Sequence, residues 1–211
     1  MDATADRSIP VAISARHVHL TAPHIDLLFG PGHPLHTRKA LSQPGEFAAD
    51  ETVTLVGPKG SIAHVRVVGP AREDDQVEIS RTDEMTLGLD APVRVSGDLK
   101  QTPGIKLVGP AGEVTLTHGV VLAQRHVHMT PEDAQRLGVR DRQIVQVLLH
   151  SPHRSLIFGD VVVRVSAHYA LELHLDTDEG NAAGVQPGDR ARLLLRSESA
   201  QLASGTSNRG D

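Results

Sequence analysis

A close succession of short β-like runs constrains the fold of this chain more than any other feature. Most runs are rich in β-branched residues and are bounded by Gly, Pro, Asp or Asn, which is typical of strands joined by turns. Many short strands at close spacing favour a barrel or a sandwich. The predicted strands are residues 9–14, 52–56, 63–68, 76–80, 93–96, 105–108, 113–116, 120–123, 144–149, 161–165, 172–175 and 190–195.

The helices are predicted to be few and short. Thr130 has the character of an N-cap and Pro131 that of a first helical residue. Gly138 then ends the segment, because glycine readily adopts the left-handed conformation that closes a helix. A similar turn opens at Thr21 and runs towards Gly30.

Two segments of the chain recur. Residues 16–21 read Arg-His-Val-His-Leu-Thr, and residues 125–130 read Arg-His-Val-His-Met-Thr. Residues 55–58 and 107–110 both read Leu-Val-Gly-Pro. The two pairs have different spacings, which argues against a tandem solenoid. The first pair predicts two similar units, each running from a strand through a His pair to a capped helix.

Length and composition limit the number of domains and the kinds of metal site and nucleophile that the chain can have. The 211 residues suffice for one large domain or two small ones that share a core. The absence of cysteine excludes disulfides, iron–sulfur clusters, thiolate zinc sites and a Cys nucleophile. Any zinc must therefore be held by His and carboxylates.

Charge, aromatic content and hydrophobic pattern argue against nucleic acid and the lipid bilayer as partners. A net charge of −5 gives no general attraction to nucleic acid, and an aromatic content of 2% leaves little to stack bases on. No apolar run approaches the roughly 20 residues that span a bilayer. No signal pattern is seen at residues 1–7, so an intracellular, cytoplasmic protein is expected.

Two His-x-His pairs carry the strongest functional signal. Side chains at i and i+2 of a strand point to the same face, so His17 and His19 would face one point, as would His126 and His128. One isolated pair is equally compatible with a polar strand face at a barrel rim. Two pairs in the same six-residue setting favour a metal site.

Other polar positions leave two readings open. His174, which shares a strand face with Glu172 and Asp176, could add a ligand or belong to an amphipathic edge strand. Glu78 could be a carboxylate ligand or a solvated side chain. Arg72 in a turn suits bidentate binding of phosphate, but a surface arginine is the simpler interpretation. Ser96 is expected to cap a turn.

The remaining histidines lack paired spacing and are interpreted as surface or structural residues. They are His24, His33, His36, His64, His118, His150, His153 and His168.

Five separate segments, in order, resemble the PduL-type phosphotransacylases, also called phosphate propanoyltransferases. The resemblance runs from about residue 9 to residue 195. The segments read Ser-Ala-Arg-His-Val-His-Leu-Thr (14–21), Gly-Pro-Ala-Arg (69–72), Gln-Val-Glu-Ile-Ser (76–80), Arg-His-Val-His-Met-Thr (125–130) and His-Leu-Asp-Thr-Asp-Glu (174–179).

The resemblance implies a mainly β fold of two β-barrels capped by short α-helices, with the active site at their interface. One barrel would combine residues 9–15 with residues 123–196, and the other would comprise residues 16–122. Residues 197–211 are expected to form a disordered tail, because they are rich in Ser, Ala and Gly and have no apolar period.

The resemblance also implies the roles of individual residues. Two Zn²⁺ ions would be bound per chain: one by His17, His19 and Glu78, the other by His126, His128 and His174. Arg72 would bind the phosphate as a catalytic residue, and Ser96 matches a family serine near the same site. The partners would be CoA, acyl-CoA, phosphate and acyl phosphate.

One departure from the family concerns targeting. Many members carry an N-terminal amphipathic extension that directs them into a bacterial microcompartment, where propanediol is degraded. Only about eight residues precede the first predicted strand here, fewer than the roughly 12 of a marginal helix. Packaging through partner enzymes of the microcompartment stays open, as does assembly into a homo-oligomer.

The expected reaction is the interconversion of a short-chain acyl-CoA plus phosphate with acyl phosphate plus CoA. Zinc would act as a Lewis acid, and phosphate would attack directly without a covalent acyl-enzyme. Two alternatives are a cupin-like metal-dependent oxygenase, which needs only one His pair, and a non-catalytic β protein stapled by metal. The choice between propanoyl and acetyl groups is open.

Overall fold

The computed structural model describes residues 7–194 of the chain. Fifteen strands and four short helices follow one another within them. In chain order they are β1 (Ser8–Ser14), β2 (His17–His19), α1 (Ala22–Phe29), β3 (Thr37–Ala40), β4 (Phe47–Val56), β5 (Ser61–Gly69), β6 (Gln76–Ile79), α2 (Arg81–Leu87), β7 (Val93–Arg94), β8 (Lys106–Val108), β9 (Glu113–Thr115), β10 (Val120–Ala123), β11 (His126–Met129), α3 (Pro131–Leu137), β12 (Ile144–Leu149), β13 (Leu156–Val165), β14 (Glu172–Asp176), α4 (Thr177–Ala183) and β15 (Arg190–Leu194). The tail predicted at residues 197–211 lies outside the described residues.

Contacts group the described chain into two compact units. One contains residues 7–13, 125–175 and 179–194, and the other contains residues 14–124 and 176–178. The first unit thus combines the N-terminal strand with the C-terminal part of the chain, so its sheet depends on pairing between distant segments.

The first unit is a closed six-stranded barrel with the strand order β1-β14-β11-β13-β12-β15. Strand β1 pairs with β15 in antiparallel register, with Ile9 opposite Ala191. Alternating burial along β12 and β15 turns one face of each strand inward, as expected for a barrel wall. Fully buried aliphatic residues such as Val147, Leu173 and Leu193 fill its core.

The second unit is a sheet curled into half a barrel. Its strand order is β7-β10-β6-β2-β5-β4-β8-β9, with β3 paired to β4. The predicted mainly β fold with barrels and short helices is therefore confirmed, although this sheet runs from β7 to β9 instead of forming a closed ring. A separate aliphatic core lies against it and includes Val18, Leu55 and Leu107.

The two predicted helices are present, and two further helices were missed. Helix α3 begins after the N-cap Thr130 and ends at Gly138, which has the left-handed φ of 71°. Helix α2 has a similar capping box formed by Ser80 and Asp83, a signal that the sequence offers. Helix α4 contains Gly180 near its middle. Because glycine is a weak helix former, helix propensity alone does not predict this helix.

Each of the two Leu-Val-Gly-Pro segments forms a turn whose glycine packs against the end of a helix. The turn after β4 places Gly57 against the last turn of α2, and a Cβ there would lie 2.3 Å from the carbonyl oxygen of Leu87. The turn after β8 places Gly109 against the last turn of α1, where a Cβ would lie 2.4 Å from the carbonyl oxygen of Leu28. Only glycine lets the backbone approach so closely.

Within residues 7–194, no helix has the length and apolar character needed to cross a membrane.

Candidate metal centres

Each His-x-His pair lies on a short strand, as the sequence predicts. Val18, between His17 and His19, is fully buried in β2, and Val127 occupies the same place in β11. The two imidazoles of each pair therefore project from the opposite face of their strand. The ring centroids lie 4.9 Å apart for His17 and His19.

In each unit, a third candidate ligand lies on the antiparallel neighbouring strand, directly opposite one histidine of the pair. His17 of β2 is paired with Glu78 of β6. His126 of β11 is paired with His174 of β14. Directly opposed residues have Cβ atoms about 4.5–5.5 Å apart, so the backbone register itself brings each third side chain to its His pair. Within each unit, the structure thus brings together the three residues that the resemblance implies as the ligands of one metal ion.

In the first group, which consists of His17, His19 and Glu78, backbone carbonyl oxygens determine which nitrogen of each imidazole carries the proton. Nδ1 of His17 lies 2.9 Å from the carbonyl oxygen of Ala15, and Nδ1 of His19 lies 3.2 Å from that of Val68. A carbonyl oxygen can only accept a hydrogen bond, which assigns the proton of each neutral ring to Nδ1. Each Nε2 then presents a lone pair.

These lone pairs converge. The two Nε2 atoms of His17 and His19 are 3.2 Å apart, and Nε2 of His17 is 3.6 Å from Oε2 of Glu78. Ligand atoms bound at about 2.0 Å in a tetrahedron are separated by about 3.3 Å. Facing lone pairs and a carboxylate repel one another unless a cation lies between them, so this donor set fits a metal ion.

Burial keeps the imidazole of His19 neutral. Desolvation is the main cause that lowers the pKa of His19 to about 3, and the electrostatic effects of His17 and Arg72 contribute in the same direction. A neutral imidazole is the form that binds a metal.

The second group consists of His126, His128 and His174, whose ligand atoms lie within 4.8 Å of one another. The rings of His126 and His174 stack with centroids 4.9 Å apart, and that of His128 lies 4.6 Å from His126. Tyr169 stacks on the other side of His128 at 4.1 Å. Tyr169 was not predicted, since nothing in its sequence context points to the His pair.

His128 provides the clearest fit to an ion. Both of its ring nitrogens are buried and have no hydrogen-bond partner among the described residues. Leaving a buried polar atom without a partner costs about 1–3 kcal/mol, and a bound metal would supply the partner. Burial lowers the pKa of His128 to about 2, and the charges of His126, His174 and Arg164 act in the same direction.

The carboxylate of Glu172 lies beside the second group. Its Oε2 lies 3.0 Å from Nε2 of His174, although this nitrogen forms no hydrogen bond of acceptable geometry. Among the described residues, no hydrogen bond therefore competes with a metal ion for Nε2 of His174.

A buried glutamine organises the carboxylate of the first group. The amide nitrogen of Gln76 donates to Oε1 of Glu78 at 2.5 Å and to Oγ of Ser96 at 2.9 Å. Its amide oxygen accepts from the backbone N–H of Gly97 at 2.9 Å. Gln76 therefore leaves Oε2 of Glu78 facing His17. Ser96, predicted to cap a turn or lie near the site, is linked to Glu78 through the amide of Gln76.

Arg72 is fixed at its backbone and paired at its side chain. Its N–H donates to the carbonyl oxygen of Leu20, one residue after the first His pair. Nη2 donates to Oε1 of Glu46 at 2.8 Å, and both side chains are about one-third exposed. An anionic oxygen therefore already occupies part of the guanidinium, which is the arrangement a phosphate oxygen would adopt.

Comparison with known proteins gives one consistent family. A family model described as phosphate propanoyltransferase matches residues 10–186, a range that contains both groups. A phosphate propanoyltransferase of Salmonella typhimurium (strain LT2) is 53% identical over 195 residues, 92% of each chain. One of Thermotoga maritima is 54% identical over 186 residues, 88% of this chain and 89% of the relative. One of Citrobacter koseri is 53% identical over 195 residues, 92% of each chain.

Proposed function

Because the chain belongs to the phosphate propanoyltransferase family, we propose that it is a zinc-dependent enzyme that exchanges an acyl group between CoA and phosphate. Acyl transfer is the activity that the family name describes, which favours it over the cupin-like oxygenase and over a metal-stapled structural protein. The name also makes propanoyl-CoA the acyl donor that we propose, with acetyl-CoA as the comparison substrate.

The convergence of unprotonated nitrogens carries the zinc dependence. His17, His19 and Glu78 would hold one Zn²⁺, and His126, His128 and His174 would hold a second. Three protein ligands leave one tetrahedral position for water or substrate, as in catalytic zinc sites. Zinc bound there supplies Lewis acidity towards an oxygen or sulfur atom.

Arg72 is the residue we assign to phosphate. Its guanidinium offers parallel N–H donors that match two oxygens of a phosphate group. An incoming phosphate would exchange with the carboxylate of Glu46, which now accepts from Nη2. This exchange is feasible because a partly exposed ion pair contributes only about 0.2–1 kcal/mol. The freed guanidinium then orients the phosphate as a nucleophile.

The proposed chemistry is a direct displacement. A phosphate oxygen attacks the carbonyl carbon of the thioester, the C–O bond forms, and the C–S bond breaks to release CoA as a thiolate that takes up a proton. The chain has no Cys to form an acyl-enzyme. Ser96 accepts a hydrogen bond from Gln76. Within residues 7–194 it is not paired with a general base, so it lacks the arrangement of an activated nucleophile.

The experiment is CoA-dependent thioester formation from propanoyl phosphate with the full chain. Activity should disappear on dialysis against a strong chelator and return when Zn²⁺ is added, while Mg²⁺ should not restore it. Circular dichroism before and after chelation separates loss of zinc from loss of folding. Unchanged activity in a sample shown to be free of zinc would reject the zinc dependence, and inactivity of the folded, zinc-loaded protein would reject the reaction.

A further inference from the structure

A buried carboxylate outside the two groups occupies a core position of β4. The burial pattern of this strand alternates, and Ala49, Glu51 and Val53 all face inward. Glu51 is only 8% exposed. A charged side chain at such a position is unfavourable unless it is paired and hydrogen-bonded, so the partners of Glu51 indicate what it does.

The backbone around Glu51 is irregular on both edges. Between β4 and β5 the register jumps from Ala48 opposite Val68 to Thr52 opposite Arg66. Nη1 of Arg66 then donates to the carbonyl oxygens of residues 49 and 50, at 2.9 Å each. Bulges redirect side chains and are frequent at functional sites. Here the bulge and Arg66 fix the place from which Glu51 projects.

Two imidazoles converge on one oxygen of this carboxylate. Nε2 of His33 lies 2.8 Å from Oε1 of Glu51, and Nδ1 of His36 lies 2.7 Å from the same atom. The backbone N–H of His36 donates to Oε2 at 3.1 Å. Burial raises the pKa of Glu51, but the hydrogen bonds from His36 and His33 outweigh it and lower the pKa to about 2. Glu51 is therefore a carboxylate at neutral pH.

The two imidazoles differ in how firmly they are held. His33 stacks on Phe29 with ring centroids 5.5 Å apart, whereas the side chain of His36 is 58% exposed. The cluster is thus buried at Glu51, held in place at His33 and open to solvent at His36. An ion can enter from that side and keep water as its remaining ligands.

We propose that His33, His36 and Glu51 form a third metal site, which takes a divalent transition-metal ion such as Zn²⁺ or Ni²⁺. One nitrogen from each imidazole and one carboxylate oxygen lie within 4.8 Å of one another, so shifts of about 1 Å bring them to the separation of about 3.3 Å that zinc requires. When the ion binds, each neutral imidazole shifts its proton to the other ring nitrogen, and the nitrogen that now donates to Oε1 offers its lone pair to the metal.

The position of the site defines its role. His33 belongs to the loop between α1 and β3, and Glu51 belongs to β4, so an ion bound to both fastens this loop to the sheet. His33 also lines a cavity of about 390 Å³ together with Phe47 and Ala71. The ion therefore stabilises one wall of this cavity and takes no part in acyl transfer.

The test is a zinc count on the full chain. Wild type and His36→Gln are dialysed against the same buffered low concentration of Zn²⁺, and bound zinc is measured by mass spectrometry together with protein concentration. His36→Gln should bind one ion fewer per chain and keep its acyltransferase activity. The matched control is His153→Gln, because His153 belongs to none of the three groups, and it should bind as much zinc as wild type.

Two further measurements make the result decisive. Crystals grown with Zn²⁺ should show an anomalous scattering peak about 2.0–2.2 Å from a nitrogen of His33 and an oxygen of Glu51. The double variant His33→Gln/His36→Gln, checked for folding by circular dichroism, should lose the peak. Equal zinc content in wild type and double variant, or a peak that persists in the double variant, overturns the proposal. Failure of the two-zinc proposal would appear separately, as activity that needs no zinc.

Discussion

His17 and Glu78 are directly opposed residues on the antiparallel strands β2 and β6. His126 and His174 have the same relationship on β11 and β14. In both units the strand with the His pair also has a parallel neighbour on its other side, β5 or β13. The donor geometry of each group is therefore built from backbone pairing, which is more rigid than a site assembled on loops.

If the groups bind independently, removing one ligand should release one ion. His126→Ala is expected to lower the zinc content by one ion per chain and to leave the ion of the first group in place, because His17, His19 and Glu78 are intact. Zinc content after dialysis, measured by mass spectrometry, tests this. His168→Ala is the control, since it removes an exposed imidazole outside the groups. Loss of all zinc, or of none, would contradict the prediction.

Gln76 should strengthen zinc binding by orienting Glu78, although it is not itself one of the proposed ligands. Gln76→Leu removes the donor to Glu78 and leaves the N–H of Gly97 without its acceptor. Residues that orient a metal ligand typically change affinity by about 10–100-fold. The zinc dissociation constant, measured by competition with a chromophoric chelator, should rise by that factor.

The matched control for this prediction is Gln135→Leu, which changes an exposed glutamine on α3. Its zinc affinity should equal that of wild type. A Gln76→Leu protein that folds and binds zinc as tightly as wild type would show that Glu78 is oriented without the amide.

The phosphate assignment predicts opposite effects for the two members of the Arg72–Glu46 pair. Arg72→Ala should raise KM for phosphate sharply and retain zinc. Glu46→Gln should lower KM for phosphate by about 1.5- to 5-fold, because removing a partly exposed competitor is worth about 0.2–1 kcal/mol. Steady-state kinetics with varied phosphate measure both. A higher phosphate KM in Glu46→Gln would indicate that Glu46 positions Arg72 rather than competing for it.

The two His pairs could be predicted from the sequence because side chains in a strand alternate between its two faces. In a strand of period 2, His17 and His19 must share a face, and so must His126 and His128. The capped helix α3 was predictable for a similar reason, since Thr130 and its neighbours carry a local signal. The residues alone left open whether Glu78 and His174 are ligands or ordinary polar residues of a strand, and only the resemblance assigned each of them to one of the His pairs.

Long-range pairing explains what was not predicted. His33 and His36 were interpreted as surface or structural residues because their spacing is not that of a strand pair, and the bulge that turns Glu51 towards them is invisible in the sequence. Gln76 was named only as part of the segment 76–80 that carries the resemblance. Its contact with Ser96 joins β6 to the turn after β7, 20 residues further along the chain, and no local pattern encodes it.

The metal-free protein should lose stability as the pH falls. The pKa values of His128 and His19 are lowered to about 2 and about 3 in the folded state, whereas an unfolded histidine titrates near its usual 6.5. The unfolded chain therefore binds protons that the folded chain does not. The stabilising contribution is complete above pH about 6.5 and declines as the pH falls towards the folded pKa values.

Urea midpoints in the presence of chelator, measured between pH about 7 and about 4, check this. His128→Leu should show a shallower decline than wild type, because one of the groups that takes up a proton on unfolding is gone. His168→Leu is the control and should keep the slope of wild type. A midpoint that rises on acidification would contradict the neutral state of these imidazoles.

The two glycines of the repeated Leu-Val-Gly-Pro turns should be equally intolerant of a side chain. In Gly57→Ala and Gly109→Ala, the new Cβ would lie 2.3 Å and 2.4 Å from a carbonyl oxygen at the end of a helix, and a backbone oxygen cannot move without disturbing that helix. Overpacking of this kind costs about 1–3 kcal/mol or more. Gly159→Ala is the matched control, because its Cβ would meet nothing within 4 Å. Urea unfolding should therefore show lower midpoints for the first two variants and an unchanged one for the third. Wild-type midpoints for Gly57→Ala and Gly109→Ala would mean that the turns, and with them the recurrence of this segment, do not depend on close contact with the helix ends.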